Sequence, residues 1–572
     1  MRKILTGIFA GIGLFFVVII LGLIFAASRS QHRKPEHLPE KIVLMLELDD
    51  GLKERTAPQG LMEAIEPSSR QLSLQQLVQT LDQARLDQRV QGLAVNVYDG
   101  DFGLASVQEL RNAVQRFRRS GKFAYFYADT LGQQPAMAEY WLASAFDQIW
   151  LQPMGDLAIT GFAAEIPFGR ALFDKIGVQP EMQHVGKYKS FPESLMLNEA
   201  SPENREMTEE LLSILTKQFE ADITQTRKID QAELQTLMQQ SPIDSREALK
   251  AGLIDSVGYR DEFDSYLEQK TKGGQPVTVG DYYENGPRAV PGEKMAIIHA
   301  VGALVNATSK AELMPDSAAA EDIVDAIQEA VEQKHIKAII VRVDSPGGTP
   351  LAADMIRRAI VLAKQRKPVV VSMSNAAASG GYWMSVDADK IVAQPTTMTG
   401  SIGVFGGKFN AADLWEKLGV NWQAIPENGQ QDMWSVNRPY SEASRAKMQA
   451  MMERTYEAFV AHVAAGRHMD KARVQELAQG RVWLGEQAKE NGLVDALGGV
   501  DTAVGLAREL AKIPASRMVN LEQFPKDLPL FEQIMQMLTQ GSPLDMIGVY
   551  IRNAVAQSLQ SMLQTSVPNI KG

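Results

Sequence analysis

The sequence of 572 residues contains no cysteine, which excludes disulfide bridges, thiolate metal sites and cysteine nucleophiles. Histidine is scarce, at seven residues, and no HExxH pattern occurs. A zinc hydrolase is therefore not predicted, and we expect neither a metal nor another cofactor. The absence of cysteine also suits an oxidising compartment.

Positive charge is in deficit as well, because 58 lysines and arginines face 69 aspartates and glutamates and leave a net charge of -11. A nucleic-acid partner, which normally requires a basic face, is not expected. A phosphate-binding loop is missing too. Gly407-Lys408 has Ile402 where such a loop requires its first glycine, and Phe409 where it requires serine or threonine.

One long apolar run is present at residues 4–27, which carry no charge. As a helix this run would be about 36 Å long, enough to cross the hydrocarbon core of a bilayer. Arg2 and Lys3 precede it as in a signal peptide, but the apolar region of a signal peptide is usually only about 7–15 residues long. We therefore predict a cytoplasmic N-terminus at 1–3, an uncleaved transmembrane anchor at 4–27, and the rest of the chain outside the cytoplasm.

Short sequence pairs recur along the chain at one offset of 242 positions, which indicates a tandem duplication. A further pair, Ala251–Asp255 and Asn491–Asp495, lies at nearly the same offset. We predict repeats at 45–275 and 290–515, with a linker near 270–292. The four pairs at offset 242 are Tyr140-Trp141 with Tyr382-Trp383, Gln152-Pro153 with Gln394-Pro395, Gly161 with Gly403, and Gly177-Val178 with Gly419-Val420.

Each repeat alternates helical and strand patterns. In the second repeat, helical periodicity at 321–331 and 351–363 alternates with short apolar runs at 338–343 and 368–372. Such runs are typical of buried parallel strands, so the predicted fold class is α/β with parallel sheets. The tail at 516–572 has apolar residues at helical spacing and is predicted to form amphipathic helices packed on the body or on a sister subunit.

Two turns rich in small residues are candidates for acyl-transfer chemistry. Ser379 follows the predicted strand at the start of a helix, where exposed backbone amides favour negative charge, and Gly380 offers the next N–H. In the turn that follows the preceding strand, Gly347 and Gly348 let backbone N–H groups approach a ligand closely. Taken alone, each turn is explained better as a simple packing turn. Together they favour an oxyanion hole beside a serine nucleophile.

A serine nucleophile needs a base, and the histidines provide few candidates. His299 lies in an apolar strand, which is typical of a core histidine. His184, three residues before Lys187, is the one serious candidate among the histidines.

The turns around Ser379 and Gly347, together with 185–190, 399–403 and 480–485, resemble the signal peptide peptidase A (protease IV) family across most of the chain. The resemblance implies two Clp protease/crotonase-like domains. It also implies that Ser379 is the nucleophile and Lys189 the base, with Lys187 as a fallback. Ser401 is then expected to hydrogen-bond the lysine. Because offset 242 places Met137 opposite Ser379 and Gln431 opposite Lys189, we expect one composite site, with the base from repeat one and the nucleophile from repeat two.

The resemblance further implies the setting in which the protein acts. Its substrates would be cleaved signal-peptide fragments and other apolar peptides. The chain would form a homo-oligomer, a tetramer by resemblance, on the periplasmic side of the bacterial inner membrane. Two other functions remain open from the sequence: a crotonase-type acyl-CoA enzyme, which needs no serine, and a non-enzymatic membrane scaffold.

Overall fold

The computed structural model describes residues 37–49, 51–55, 72–98, 100, 102–287, 292–308, 314, 317–423, 425 and 431–526. The predicted anchor at 4–27 lies outside these residues. Within the ranges just given, no helix has both the length and the apolar character needed for a bilayer span.

The first repeat contains ten helices and nine strands among the described residues. The strands are β1 Ile42–Leu48, β2 Val90–Val97, β3 Phe123–Ala128, β4 Gln148–Leu151, β5 Asp156–Leu157, β6 Gln179–Val185, β7 Ile243–Asp244, β8 Ser256–Val257 and β9 Gln275–Thr278. The helices are α1 Leu74–Ala84, α2 Leu104–Arg119, α3 Met137–Ala143, α4 Arg170–Ile176, α5 Glu193–Met196, α6 Pro202–Arg227, α7 Gln231–Gln240, α8 Ser245–Lys250, α9 Arg260–Thr271 and α10 Val279–Asn285.

The second repeat follows the same alternation in its described part. The strands are β10 Glu293–Val301, β11 Ala303–Val305, β12 Ser317–Ala319, β13 Ile336–Ser345, β14 Val369–Ala378, β15 Lys390–Ala393, β16 Met398–Gly400, β17 Val404–Asn410, β18 Val482–Leu484, β19 Ala496–Leu497 and β20 Val519–Phe524. The helices are α11 Ala320–Glu332, α12 Pro350–Lys364, α13 Gly380–Ser385, α14 Ala412–Lys417, α15 Glu442–Gly466, α16 Lys471–Leu477, α17 Gly485–Glu490 and α18 Val500–Leu510.

Both repeats are built on one sheet order. The first sheet runs β8-β4-β3-β2-β1-β9 and is parallel throughout. The second contains β15-β14-β13-β10-β20 in the corresponding parallel order, with β19 beside β15. It gains β16 beside β14 and the antiparallel β18. The α/β duplication is therefore confirmed, and each sheet carries its own apolar core.

Apolar strands explain the inner layer of each sheet. β13 is buried at nearly every position because helices cover both of its faces: α11 and α12 pack on one side and α18 on the other. The strand and helix patterns read from the second repeat are confirmed at α11, β13, α12 and β14. α11, β13 and α12 extend beyond their predicted bounds at both ends, whereas β14 begins one residue later than predicted, at Val369, and ends six residues later, at Ala378.

Two boundary predictions are wrong. The predicted linker at 270–292 contains β9 and α10, because β1 presents an open edge to which 275–278 pairs in parallel register. The predicted helical tail begins with a strand instead, since β20 pairs with the open edge of β10 and buries Phe524 in the core. The remainder of the predicted tail, at 527–572, lies outside the described residues.

An antiparallel ribbon connects the two repeats. β6 of the first repeat pairs with β17 of the second, from Gln179 opposite Asn410 to Val185 opposite Val404. This ribbon carries the chain that follows β6 to the edge of the second sheet, beside the end of β14. Residues of the two repeats can therefore meet there in one site.

Candidate active site

Ser379 occupies the sharp junction between β14 and α13. Its backbone has φ 53° and ψ −116°, a region that costs a non-glycine residue energy and is found where a functional side chain must be presented. The Ser379 N–H donates to the carbonyl of Gly400 at 2.9 Å. The pairing of β14 with β16 continues that contact and fixes the junction.

Lys189 reaches this junction from the first repeat, just beyond β6. Its side chain is only 5% exposed. The Nζ atom lies 3.0 Å from Ser379 Oγ, 3.0 Å from the carbonyl oxygen of Ser401 and 2.9 Å from Ser401 Oγ. A neutral amine has two N–H groups and one lone pair. If both N–H groups donate to Ser401, the lone pair remains to accept the Ser379 hydroxyl proton.

The amine is prepared for this role by its surroundings. Burial lowers the pKa of Lys189 to about 8, because desolvation disfavours the charged ammonium. The shift toward the neutral form is the one a general base requires near neutral pH.

The segment that precedes β18 holds the lysine in place. A Cβ atom on Gly480 would lie 2.5 Å from Lys189 N, so only glycine allows this approach. The Tyr188 N–H donates to Gln479 O at 2.7 Å, and the Ser401 N–H donates to Arg481 O at 2.8 Å. Three consecutive residues thus fix the backbones of both the lysine and the serine that orients it.

Arg481 and Tyr188 form a second layer that the sequence reading did not identify. The Arg481 guanidinium lies 4.6 Å from the Tyr188 ring centroid and donates to Glu206 Oε1 at 3.1 Å. The Tyr188 hydroxyl donates to the same oxygen at 3.1 Å. The 480–485 motif already contained Arg481, but no sequence pattern pointed to Glu206 on α6.

The glycine turn lies directly against the nucleophile. A Cβ on Gly347, whose φ is 111°, would lie 2.8 Å from the Ser379 Cβ. A Cβ on Gly380 would lie 3.0 Å from the backbone nitrogen of Gly348. Gly348 and Gly380 thus bring their backbone nitrogens close together beside Ser379. The Gly347 N–H donates to Ser345 Oγ at 3.2 Å, so Gly347 contributes space rather than a free donor.

The alternative bases lie elsewhere. His184 is exposed and its Nδ1 atom lies 3.0 Å from Gly186 O. The Lys187 ammonium lies 4.6 Å from the Tyr188 ring centroid. His299 is enclosed beside Glu54, and burial lowers its pKa to about 4. Nor do the residues that the structure describes include a cluster of histidine and carboxylate side chains that could hold a metal ion.

The known proteins to which this chain is similar are named as proteases or peptidases. The model described as "Peptidase family S49" matches residues 116–273 and 362–514. The "Protease 4" of Salmonella typhi is 31% identical over 507 residues, covering 86% of this chain and 78% of its own. The "Serine protease SPPA, chloroplastic" of Arabidopsis thaliana is 31% identical over 465 residues, covering 80% and 68%. The "Putative signal peptide peptidase SppA" of Enterococcus faecium is 35% identical over 200 residues, covering 35% and 58%.

Among solved structures, a mutant ClpP1 from Listeria monocytogenes aligns with a TM-score of 0.24 and 16% identity, covering 36% of this chain and 92% of its own. A TM-score this low does not assign a fold. The Clp protease/crotonase-like class therefore stays a prediction beside the observed α/β repeats.

Proposed function

This chain belongs to peptidase family S49 and is a serine protease with two S49 domains, and we propose that it is an endopeptidase with Ser379 as nucleophile and Lys189 as general base. One observation carries the assignment: the Lys189 amine, buried and held by Ser401, lies within hydrogen-bond distance of the Ser379 hydroxyl. Nucleophile and base with a third group that orients the base is the arrangement that activates a serine.

The reaction follows from this arrangement. The neutral amine of Lys189 takes the proton of Ser379 as Oγ attacks the peptide carbonyl carbon. The backbone N–H groups of Gly348 and Gly380 stabilise the oxyanion that forms. The ammonium, still bound to Ser401, then donates its proton to the leaving amine. A water molecule, deprotonated by the same amine, hydrolyses the acyl-enzyme and restores Ser379.

Apolar peptides, including cleaved signal-peptide fragments, are the substrates that we propose. Phe191 lies two residues beyond the lysine, and its ring centroid is 5.0 Å from that of Phe405 on β17. These rings are 64% and 41% exposed, and Met398 beside the nucleophile junction is 47% exposed. Apolar side chains of a bound peptide would cover this surface and would also exclude water from the amine.

We place the protein at the bacterial inner membrane, with the anchor at 4–27 and the catalytic body on the periplasmic side. The support is the uncharged apolar run, which is long enough to span a bilayer. Alkaline extraction of membranes tests this placement. The full chain should stay in the pellet, whereas a chain that starts at residue 37 should be released. Release of both would reject the anchor.

The contact between the repeats supports a homo-oligomer. In one chain, α2 of the first repeat packs on the second sheet, where Glu109 accepts from Arg342 at 2.8 Å. The helix in the same position of the second repeat is α12, which leaves Leu351 and Leu362 59% and 44% exposed. By the internal symmetry, α12 of one chain would dock on the first sheet of the next, and such head-to-tail contacts close into a ring.

A tetramer is the ring size that we carry over from the resemblance. Light scattering on the full chain in detergent tests it, with Leu351→Asp as the disrupting variant and Leu86→Asp as the control. Leu86, just after α1, is 62% exposed and outside the proposed contact. Loss of the oligomer in Leu351→Asp alone supports the contact, and equal behaviour of the two variants contradicts it.

The decisive test of function compares wild type with Ser379→Ala and Lys189→Ala on a fluorogenic apolar peptide, together with fluorophosphonate labelling. Cleavage and labelling by wild type, both lost in Ser379→Ala, are expected. Turnover of an enoyl-CoA by Ser379→Ala would favour the acyl-CoA enzyme. If the wild-type protein neither cleaves the peptide nor reacts with the fluorophosphonate, the non-enzymatic membrane scaffold is the remaining hypothesis.

A further inference from the structure

A cavity of about 780 Å³ lies where the first repeat meets the second, and no residue assigned above to the dyad or the oxyanion hole lines it. Its walls come from α2, from α6 and from the stretch between β15 and β16, with Glu486 and Leu497 at its border. The volume is in the range of small-molecule and peptide sites. Its lining is mainly polar, in contrast to the aromatic surface beside Lys189.

Two polar side chains that line this cavity are buried without partners. Arg111 is 3% exposed, and its Nη1 atom has no hydrogen-bond partner among the described residues. Gln394 is 1% exposed, and within the same described residues neither its amide oxygen nor its amide nitrogen is paired. Leaving such groups unpaired costs free energy, so their burial indicates a ligand or solvent that completes them.

The segments that carry these two groups are bonded to each other. Gln108 lies one turn before Arg111 on α2, and its Oε1 atom accepts from the Thr396 N–H at 3.1 Å and from the Thr396 hydroxyl at 2.9 Å. Thr396 is two residues after Gln394. These bonds fix the helix against the 394–396 stretch, and Arg111 and Gln394 both line the one cavity.

The other charges around the cavity are already paired, except the exposed guanidinium of Arg119, for which the described residues provide no partner. Arg111 uses its Nη2 atom for Asp222 at 3.3 Å, while Arg118 donates to Asp147 at 2.8 Å. The Glu486 carboxylate accepts from the Gln218 amide at 2.6 Å. Among the buried side chains of the lining, this leaves one positively charged donor, Nη1 of Arg111, and the Gln394 amide, which can donate and accept at once.

We infer that this cavity binds the C-terminal end of a peptide, with the free α-carboxylate on Arg111 Nη1 and the last peptide group on the Gln394 amide. A carboxylate matches the unpaired guanidinium donor. A peptide group matches a primary amide, since each offers one N–H and one carbonyl to the other. The inference rests on the proposed endopeptidase function, because cleavage releases peptides with such ends.

Binding is measured on the full chain carrying Ser379→Ala, so that no peptide is consumed. Fluorescence anisotropy compares an N-terminally labelled apolar pentapeptide as the free acid and as the C-terminal amide. The free acid is expected to bind about tenfold tighter or more, since a hydrogen bond to a charged group is lost with the amide. Acetate serves as the probe for a site that takes any carboxylate.

Gln394→Met supplies the variant, because methionine keeps the side-chain length and removes only the amide. Since that amide has no partner in the described chain, the melting temperature should not fall. The free acid and the amide should both bind more weakly, because the last peptide group of each loses its partner, whereas the preference for the free acid, which depends on Arg111, should remain. The matched control is Gln152→Met, which changes the equivalent glutamine of the first repeat, outside the cavity, and should keep the affinity of the unchanged glutamine.

Each outcome decides the inference. Equal binding of acid and amide, or peptide binding that is undiminished in Gln394→Met, overturns it. If acetate at the same concentration displaces the peptide, the cavity takes any carboxylate, and the proposal that it recognises a peptide end is wrong. Because binding is read without turnover, a failure here is distinct from a failure of the dyad, which is tested separately by the loss of cleavage in Ser379→Ala and Lys189→Ala.

Discussion

The Nζ atom of Lys189 lies 3.0 Å from the Oγ atom of Ser379, although 190 positions separate the two residues and each belongs to a different repeat. The first repeat carries Met137 at the position of the serine, buried at the start of α3. Neither repeat alone can therefore supply this pair. The ribbon of β6 and β17 brings the two halves together within one chain.

Removal of either member of the pair should abolish cleavage. We expect Ser379→Ala and Lys189→Met to lower kcat/KM for an apolar peptide by at least about 10³-fold, because nucleophile and base act as a unit. Lys187→Met, which changes the neighbouring lysine, should stay within a few-fold of wild type. Mixing the two inactive chains should restore nothing, because each complete site lies within one chain. Recovery of activity on mixing would contradict that arrangement.

The pH profile should report the buried amine. Burial lowers the pKa of Lys189 to about 8, and only the neutral form can take the serine proton. The value of kcat/KM should therefore rise about tenfold per pH unit below pH 8 and level off above it. Initial rates between pH 6 and 10 measure this. A midpoint near 6.5, the ordinary histidine value, would instead indicate a histidine base.

The same pKa predicts a pH-dependent stability difference between wild type and Lys189→Met. Below pH 8 the lysine is protonated in both the folded and the unfolded chain, so the folded state bears the full cost of a buried ammonium. Above 10.5 the lysine is neutral in both states and the cost is gone. Lowering the pKa from 10.5 to about 8 corresponds to about 3 kcal/mol. Wild type should gain that much relative to Lys189→Met between pH 8 and 10.5, as measured by urea unfolding. A constant difference would mean that the amine is not desolvated.

The site was predictable from the sequence only in part, and for a physical reason. Helical periodicity predicted α11 and α12, and short apolar runs predicted β13 and β14, because such patterns report which side chains of an element are buried. They do not report which other element covers those side chains. β20 was missed because its pairing depends on the open edge of β10, more than 200 positions earlier. Lys189 likewise came only from the resemblance, because no local pattern states that its amine lies beside Ser379.

Gly380→Ala should impair chemistry more than stability. An added Cβ would lie 3.0 Å from the backbone nitrogen of Gly348, one of the two proposed oxyanion donors, and would crowd it. The first repeat has Ala138 at the position of Gly380, so a Cβ is compatible with this helix start. We expect kcat to fall about 10²-fold or more, in the range seen when an oxyanion donor is lost. The melting temperature should change by only a few degrees. Wild-type kcat in Gly380→Ala would exclude this oxyanion hole.

Two glutamates of the buried ion network between the repeats should differ in how much their substitution destabilises the protein. Arg342 is 1% exposed and donates to Glu54 at 2.7 and 2.8 Å and to Glu109 at 2.8 Å. Burial raises the pKa of both carboxyl groups, but Arg342 outweighs it at Glu54, whose pKa lies below the ordinary value. The pKa of Glu109 stays above the ordinary value.

Glutamine resembles the protonated form of glutamate, so it should be tolerated where that form is already favoured. We expect Glu109→Gln to cost at least about 1 kcal/mol less unfolding free energy than Glu54→Gln. Arg342→Met should cost about 3–5 kcal/mol, because it leaves two buried carboxylates without their cation. Exposed Arg358 is the control, and Arg358→Met should stay within about 0.5 kcal/mol of wild type. Urea unfolding at pH 7 measures all four variants. Equal costs for the two glutamate variants would mean that Arg342 binds both carboxylates in the same ionised state.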